Sequence, residues 1–151
     1  MLVVSNTSPL TNLLAIDRLQ LLSKLYDTVA VPDAVFQEIT MNSDEVETSQ
    51  GLITKDEFKS LPWLEIKQAD NRDLVKSLLL ELDLGESEAI ALSVETKAEL
   101  LLIDERKGRN VARQMGVNPI GLPKIAENAP GLPPGMNQLV FGPAVNRGKF
   151  S

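Results

Sequence analysis

A single α/β domain, built as a three-layer sandwich around a mostly parallel central sheet, is the fold class this sequence predicts. Two observations carry that reading. Short apolar runs recur at Leu2-Val3-Val4, Val29-Ala30-Val31 and Leu100-Leu101-Leu102-Ile103, the form taken by parallel strands covered on both faces. Segments with apolar residues at helical spacing separate them, and such alternation marks a sheet flanked by helices. A length of 151 residues, 43% of them hydrophobic and 24% charged, suits one domain with an ordinary core.

The elements follow in chain order. After the first strand, Pro9 to Leu22 carries Leu10, Leu13, Leu14, Ile16, Leu19, Leu21 and Leu22 mostly at helical spacing, with Asp17 able to start a second helix. Pro32 in a first helical turn, followed by Ala34, Val35, Phe36 and Ile39, predicts a helix directly after the second strand. Asn42 to Lys55 is polar and reads as a loop or short helices. Leu64-Glu65-Ile66 fits an edge strand, and Asp70 to Leu82 shows a helical face through Leu74, Leu78, Leu79 and Leu82. Gly85 leads a helix over 86–97 whose Ala89, Ile90, Leu92 and Ser93 offer a tightly packable surface. A helix over 105–115 follows the third apolar run, with Gly116 as its C′ residue, and Asn118-Pro119-Ile120 fits a last short strand. The domain is expected to span residues 1–126. Residues 127–151 read as an irregular Pro/Gly-rich tail or a partner-dependent arm. From 129 to 151 the chain holds four of its nine prolines and four of its nine glycines, and no acid.

What is missing narrows the chemistry. There is no histidine and no cysteine, which excludes Ser-His-Asp and Cys-His catalysis, histidine acid–base work and zinc sites of the usual ligand types. Catalysis must rest on carboxylates, lysines, hydroxyls or a cofactor, and oxygen donors select hard cations such as Mg2+ or Mn2+. The glycines form no dinucleotide or P-loop fingerprint. No apolar run approaches the roughly 20 residues of a membrane helix, and Met1-Leu2-Val3-Val4-Ser5 lacks the basic flank and cleavage pattern of a signal peptide. With cysteine absent, a cytoplasmic protein without membrane association is expected. The net charge of −6 opposes non-specific binding to a nucleic-acid backbone. An RNA ligand would therefore need metal ions or a local basic patch.

In open α/β sheets, ligands bind beyond the carboxyl ends of the strands. The first strand runs into Ser5-Asn6-Thr7-Ser8, the Leu100–Ile103 run leads straight into Asp104, Glu38 lies on the helix after the second strand, and Glu86 opens the helix before Asp104. Topology thus allows three carboxylates and one amide to converge at one sheet edge.

The same residues carry a family resemblance. Val4-Ser5-Asn6-Thr7-Ser8-Pro9-Leu10 resembles the first motif of the PIN-domain family, an acid followed two residues later by serine. Val31-Pro32-Asp33-Ala34-Val35-Phe36-Gln37-Glu38 is similar to the second, a strand, a proline and a helix bearing glutamate. Gly85-Glu86-Ser87-Glu88-Ala89-Ile90-Ala91-Leu92 resembles the segment where the third acid starts a helix, and Leu101-Leu102-Ile103-Asp104-Glu105-Arg106 the strand ending in the fourth acid. The Ser-Asn-Thr-Ser-Pro opening resembles, more narrowly, a PIN-like subfamily of unknown function related to toxin ribonucleases. The resemblance covers roughly residues 1 to 125, and the motifs are specific through their order and spacing together.

The resemblance implies a Mg2+- or Mn2+-dependent ribonuclease acting on RNA, of the toxin type neutralised by an antitoxin protein, and often a homodimer. It implies that Glu38, Glu86 and Asp104 are three of the four acids holding the metal, that Asn6 takes the first acid's position, and that Ser8 orients it. In the third motif either Glu86 or Glu88 can be meant, and the helix length counted back from Ala98 favours Glu86. Phosphodiester hydrolysis needs an activated water and a stabilised leaving oxygen, which carboxylate-held Mg2+ supplies. Asn6 is the departure from the family pattern: its amide oxygen can ligate a cation, but the site loses one negative charge. The alternative is accordingly a catalytically weakened PIN-like module that binds RNA or a protein partner.

Each residue also has an ordinary reading. Glu86 suits a first helical turn through the helix dipole, Glu38 a solvated helix face, and Asp104 a helix N-cap. Asn6, Thr7 and Ser8 suit capping of the first helix, with Pro9 at its first position. Arg106, Arg109 and Arg113, with Lys107 beside them, read either as a phosphate-contacting stripe or as a solvated helix face. Trp63 reads as a packing residue rather than a base-stacking platform.

Overall fold

The strand residues sort into two apolar cores. Val3, Val29, Val31 and Leu102 belong to one, and Val4, Ala30, Leu101 and Ile103 to the other, because successive side chains of a strand point to opposite faces of the sheet. The computed structural model describes residues 2–40, 45–48 and 51–127. Along the chain its elements are β1 (Leu2–Ser5), α1 (Thr7–Ala15), α2 (Leu21–Leu25), β2 (Thr28–Pro32), α3 (Asp33–Ile39), β3 (Glu45–Thr48), β4 (Gly51–Thr54), α4 (Lys55–Lys59), β5 (Leu64–Lys67), α5 (Arg72–Leu78), α6 (Leu84–Thr96), β6 (Leu100–Leu102), α7 (Arg106–Gln114), β7 (Pro119–Ile120) and α8 (Leu122–Glu127).

Five strands form one sheet in the order β5-β2-β1-β6-β7, and every pair in it is parallel. Val3 lies opposite Val29 on one side and Leu100 on the other, which makes β1 the central strand. Leu10, Leu13 and Leu14 of α1, Leu21 and Leu22 of α2, Phe58 of α4 and Leu122 and Ile125 of α8 cover one face. Val75 and Leu78 of α5, Ala89 to Leu92 of α6 and Val111 and Ala112 of α7 cover the other. The molecule is thus the three-layer α/β sandwich that the apolar runs predict, with its five-stranded sheet parallel throughout. Trp63 packs, partly buried, against the first core.

Three sequence expectations are corrected. The first helix starts at Thr7 rather than Pro9. Asp17 does not start a second helix: it holds φ +56°, with Arg18 N–H bonded to Leu13 C=O (2.9 Å) and Asp17 N–H to Leu14 C=O (3.1 Å). That is a Schellman closure of α1, which the short polar side chain of aspartate tolerates, and α2 begins only at Leu21. The polar stretch expected as a loop or short helices contains an antiparallel hairpin, Glu45 pairing with Thr54 and Thr48 with Gly51. Its alternation is too polar to stand out as strand in sequence. Gly116 does close α7, at φ +80°, with Val117 N–H on Ala112 C=O (2.9 Å) and Gly116 N–H on Arg113 C=O (3.0 Å). The tail expected over 127–151 lies outside the described residues from 128 onward.

Candidate active site at the carboxyl edge of the sheet

β1 ends in Ser5 and hands the chain to Asn6, whose backbone N–H bonds Leu102 C=O at 2.9 Å. This bond fixes the tip of β1 beside the tip of β6, so Asn6 and Asp104 leave adjacent strands at the same edge. Asn6 occupies the N-cap position of α1, in extended conformation, yet its side chain accepts no capping bond. An N-cap asparagine normally contributes about 1 kcal/mol through that bond. Its side chain, 7% exposed, is instead turned toward the start of α6: a Cβ on Gly85 would lie 3.4 Å from Asn6 Oδ1.

The same Gly85 is where Glu38 arrives. α3 starts directly after β2, because Pro32 closes the strand and Asp33 sits in the first turn, and this brings Glu38 back over the edge. A Cβ on Gly85 would collide with Glu38 Oε1 and lie 3.2 Å from Glu38 Cδ. Glycine here leaves the gap in which carboxylate and amide oxygen meet. Thr7 Oγ1 donates to Glu38 Oε2 at 2.7 Å and fixes the carboxylate's other oxygen. Thr7 is a site residue that the motif reading passed over; its signal was its place one residue after Asn6 at a strand tip. Ser8 is exposed, and no hydrogen bond from its hydroxyl occurs among the described residues.

Glu86 is 8% exposed and shares a capping box with Asp83, the N-cap of α6. Glu86 N–H donates to Asp83 Oδ1 at 2.8 Å, and Asp83 N–H donates to Glu86 Oε1 at 3.3 Å. The Asp83-Leu84-Gly85-Glu86 string is the sequence signature of that box. Its other oxygen faces α7, since a Cβ on Gly108 would lie 3.1 Å from Glu86 Oε2. Burial, then the negative charge of Asp83, then that of Glu105, push the Glu86 carboxyl up to about 7, opposed by the bond from the Asp83 backbone. Glu88 is buried at 4% exposure, and its Oε1 receives Arg72 Nη1 at 3.2 Å. That engagement leaves Glu86 as the carboxylate of this motif at the sheet edge.

Asp104 faces β7 and α8. Its Oδ1 accepts from Leu122 N–H at 2.8 Å, while Arg109 Nη1 donates to the backbone carbonyl of Asp104 and to that of Ile103 (3.4 Å). Of the five sequence-predicted residues, the four expected as metal ligands lie along one edge, in three local groupings: Asn6 and Glu38 at Gly85, Glu86 between Asp83 and Gly108, and Asp104 at the start of α8. Among the described residues no three carboxylates stand close enough to hold a metal ion. The oxygen donors of Asn6 and Glu38 have the chemistry a hard cation requires, and they fit it as two ligands. Glu86 and Asp104 are turned to neighbours of their own.

Sheet order, helices on both faces and polar residues gathered at the strand tips define a three-layer α/β protein with its candidate site at the carboxyl edge. A family model described as PIN domain matches residues 2–128. The chain belongs to the PIN-domain family, whose fold is typically that of nucleases. Among solved structures it is similar to a PilT N-terminus domain protein of the hyperthermophilic archaeon Sulfolobus solfataricus, at TM-score 0.56 and 18% identity, over 88% of this chain and 97% of that one. No protein of curated function matches. Among the described residues no helix is long and apolar enough to cross a membrane.

Proposed function

We propose that this PIN domain is a metal-dependent ribonuclease that hydrolyses RNA phosphodiester bonds, acting as the toxin of a toxin–antitoxin pair. The observation that carries the catalytic part is the meeting of Asn6 and Glu38 at Gly85, on the edge that Glu86 and Asp104 share. Glu38 and Asn6 would hold a Mg2+ or Mn2+ ion, and Glu86 and Asp104 would add negative charge along the same edge. The bound ion would supply the charge that makes a water nucleophilic and stabilises the leaving oxygen. Thr7 keeps the Glu38 carboxylate in place through its hydroxyl. The toxin assignment rests on the motif order alone and implies an antitoxin protein as partner.

A second reading is favoured by one specific feature: Asn6 brings no charge, and the described carboxylates form no three-acid group. On that reading the domain is a weakened PIN module that binds RNA or a protein. A cleavage assay on fluorescent single-stranded RNA with Mn2+ separates the two. The nuclease reading expects Mn2+-dependent cleavage that Glu38→Gln and Asp104→Ala abolish. Equal background in native and variant proteins selects the module.

A further inference from the structure

The exposed face of α7 stands beside the candidate site and carries charge of the opposite sign to the whole chain. Four of the chain's 15 basic residues, Arg106, Lys107, Arg109 and Arg113, fall within the nine residues of α7, which holds no acid. Gly108, Val111 and Ala112 are the buried side of this helix. At 100° per residue the opposite side is centred on Arg106, Asn110 and Arg113. Gly108 lies against the Glu86 carboxylate, so the helix begins at the carboxyl edge and runs away from it.

The basic residues are not equivalent. Arg109 is partly buried and engaged with the carbonyls of Ile103 and Asp104. Arg106 and Lys107 are exposed, and among the described residues neither side chain makes an ion pair or hydrogen bond. Exposed Arg113 reaches, among the described residues, Asn110 Oδ1 at 3.1 Å. Two acids stand alongside: Glu105 at the N-cap, and Glu86 against Gly108 on the buried side of the helix. Exposed cations that form no ion pair among the described residues, Arg106, Lys107 and Arg113, on a protein of net charge −6, supply the local attraction that a polyanion needs to approach it.

We infer that Arg106, Lys107 and Arg113 form the phosphate-contacting track that guides a single-stranded RNA backbone along α7 to the carboxyl edge. The spacing from Arg106 to Arg113 is about 10 Å along the helix axis, enough to engage more than one phosphate of one strand. The inference deepens the nuclease reading by assigning its substrate-binding residues, yet the binding it concerns is independent of cleavage. Arg109 is excluded from the track, because its guanidinium holds the end of β6.

Fluorescence anisotropy with a labelled single-stranded RNA in EDTA, titrated between 50 and 200 mM salt, tests this. Arg106→Gln, Lys107→Gln and Arg113→Gln are each expected to lower the slope of log K against log salt by about 0.7, the release expected for one single-strand phosphate contact. The triple variant is expected to bind at least tenfold more weakly at 100 mM salt. Lys24→Gln, at an exposed lysine on α2, is expected to match the native protein. Unchanged slopes in the α7 variants, an equal loss in Lys24→Gln, or no RNA binding by the native chain would each overturn the assignment. Because no metal is present, failure here is separable from failure of the Mn2+-dependent cleavage that the nuclease reading requires.

Discussion

Thr7 and Glu38, 31 residues apart, are joined by a hydrogen bond of 2.7 Å from the threonine hydroxyl to a carboxylate oxygen. The bond ties the first turn of α1 to the end of α3 and sets the direction of the carboxylate that meets Asn6. Hydrogen bonds to charged acceptors contribute about 1.5–3 kcal/mol, the lower part of that range where solvent has access. Thr7→Val keeps the side-chain shape and removes the donor. It is expected to weaken Mn2+ binding about five- to tenfold by calorimetry, with Thr7→Ser close to native. A native-like titration for Thr7→Val would remove Thr7 from the site.

Gly85 separates the site from the fold in a testable way. It lies in the first turn of α6, where alanine is the better helix former by about 0.5–1 kcal/mol. The added Cβ, however, would collide with Glu38 Oε1, and a carboxylate at the end of a flexible chain yields by swinging away. Gly85→Ala is therefore expected to leave the urea midpoint unchanged or slightly raised while Mn2+ affinity falls. Parallel loss of both would mean that Glu38 matters to the fold rather than to the site.

How far the sequence disclosed this molecule depends on the length scale of the interaction concerned. Apolar runs disclosed the three inner strands of the main sheet, β2, β1 and β6, because burial on both faces forces an uninterrupted pattern that local inspection can find. The outer strands β5 and β7 were legible only as the short segments Leu64-Glu65-Ile66 and Asn118-Pro119-Ile120. The hairpin of β3 and β4 escaped, since Glu45-Val46-Glu47-Thr48 and Gly51-Leu52-Ile53-Thr54 hold three apolar residues between them, too few to set a strand period. Helix ends were half legible: Gly116 announces a left-handed residue, whereas Asp17 and Lys97 adopt φ +56° and +53° with side chains that do not advertise it. For the site, motif order brought Asn6, Glu38, Glu86 and Asp104 to one edge, but spacing in sequence says nothing of where a carboxylate turns. Glu86 toward Asp83, Asp104 toward Leu122 N–H and Thr7 toward Glu38 are tertiary outcomes. Only the first has a local string, the capping box, that could have been read in advance.

Those helix closures give a stability test free of the site. Gly116 has nothing within 4 Å of the position a Cβ would take, so Gly116→Ala adds only backbone strain at φ +80°. The expected loss is about 1 kcal/mol, or roughly 3–4 °C in Tm for a domain of this size. Lys97→Gly, which relieves the strain of a side chain in the same region, is expected to move Tm the other way. A differential scan reads both.

Glu86 makes stability depend on pH. In the unfolded chain its carboxyl titrates near 4.5, and in the fold near 7. Below the lower value it is neutral in both states and carries no penalty. As pH rises from 4.5 toward 7 the unfolded chain releases its proton first, so the native state loses stability, and above 7 the loss is complete. With allowance for solvent screening the loss is on the order of 1–2 kcal/mol. Glu86→Gln, measured without metal, is expected to be more stable than the native protein at pH 8 and indistinguishable from it near pH 4. An equal difference at both pH values would show that the Glu86 carboxyl keeps an ordinary pKa.

Asn6→Asp restores the charge that the family pattern places at the tip of β1, and its effects should oppose each other. Without metal the new carboxylate would stand, largely buried, on the same Gly85 gap as Glu38, and two neighbouring like charges destabilise the fold. With Mn2+ the same pair becomes a better donor set, and binding to the native state alone raises stability by RT ln(1 + c/Kd) at free Mn2+ concentration c, so a lower Kd gives a larger gain. The variant is therefore expected to melt below the native protein in EDTA and to gain more from Mn2+, with tighter binding in calorimetry. Equal metal affinity in the two proteins would mean that Asn6 Oδ1, although it faces the gap at Gly85, lies outside the reach of any ion held by Glu38.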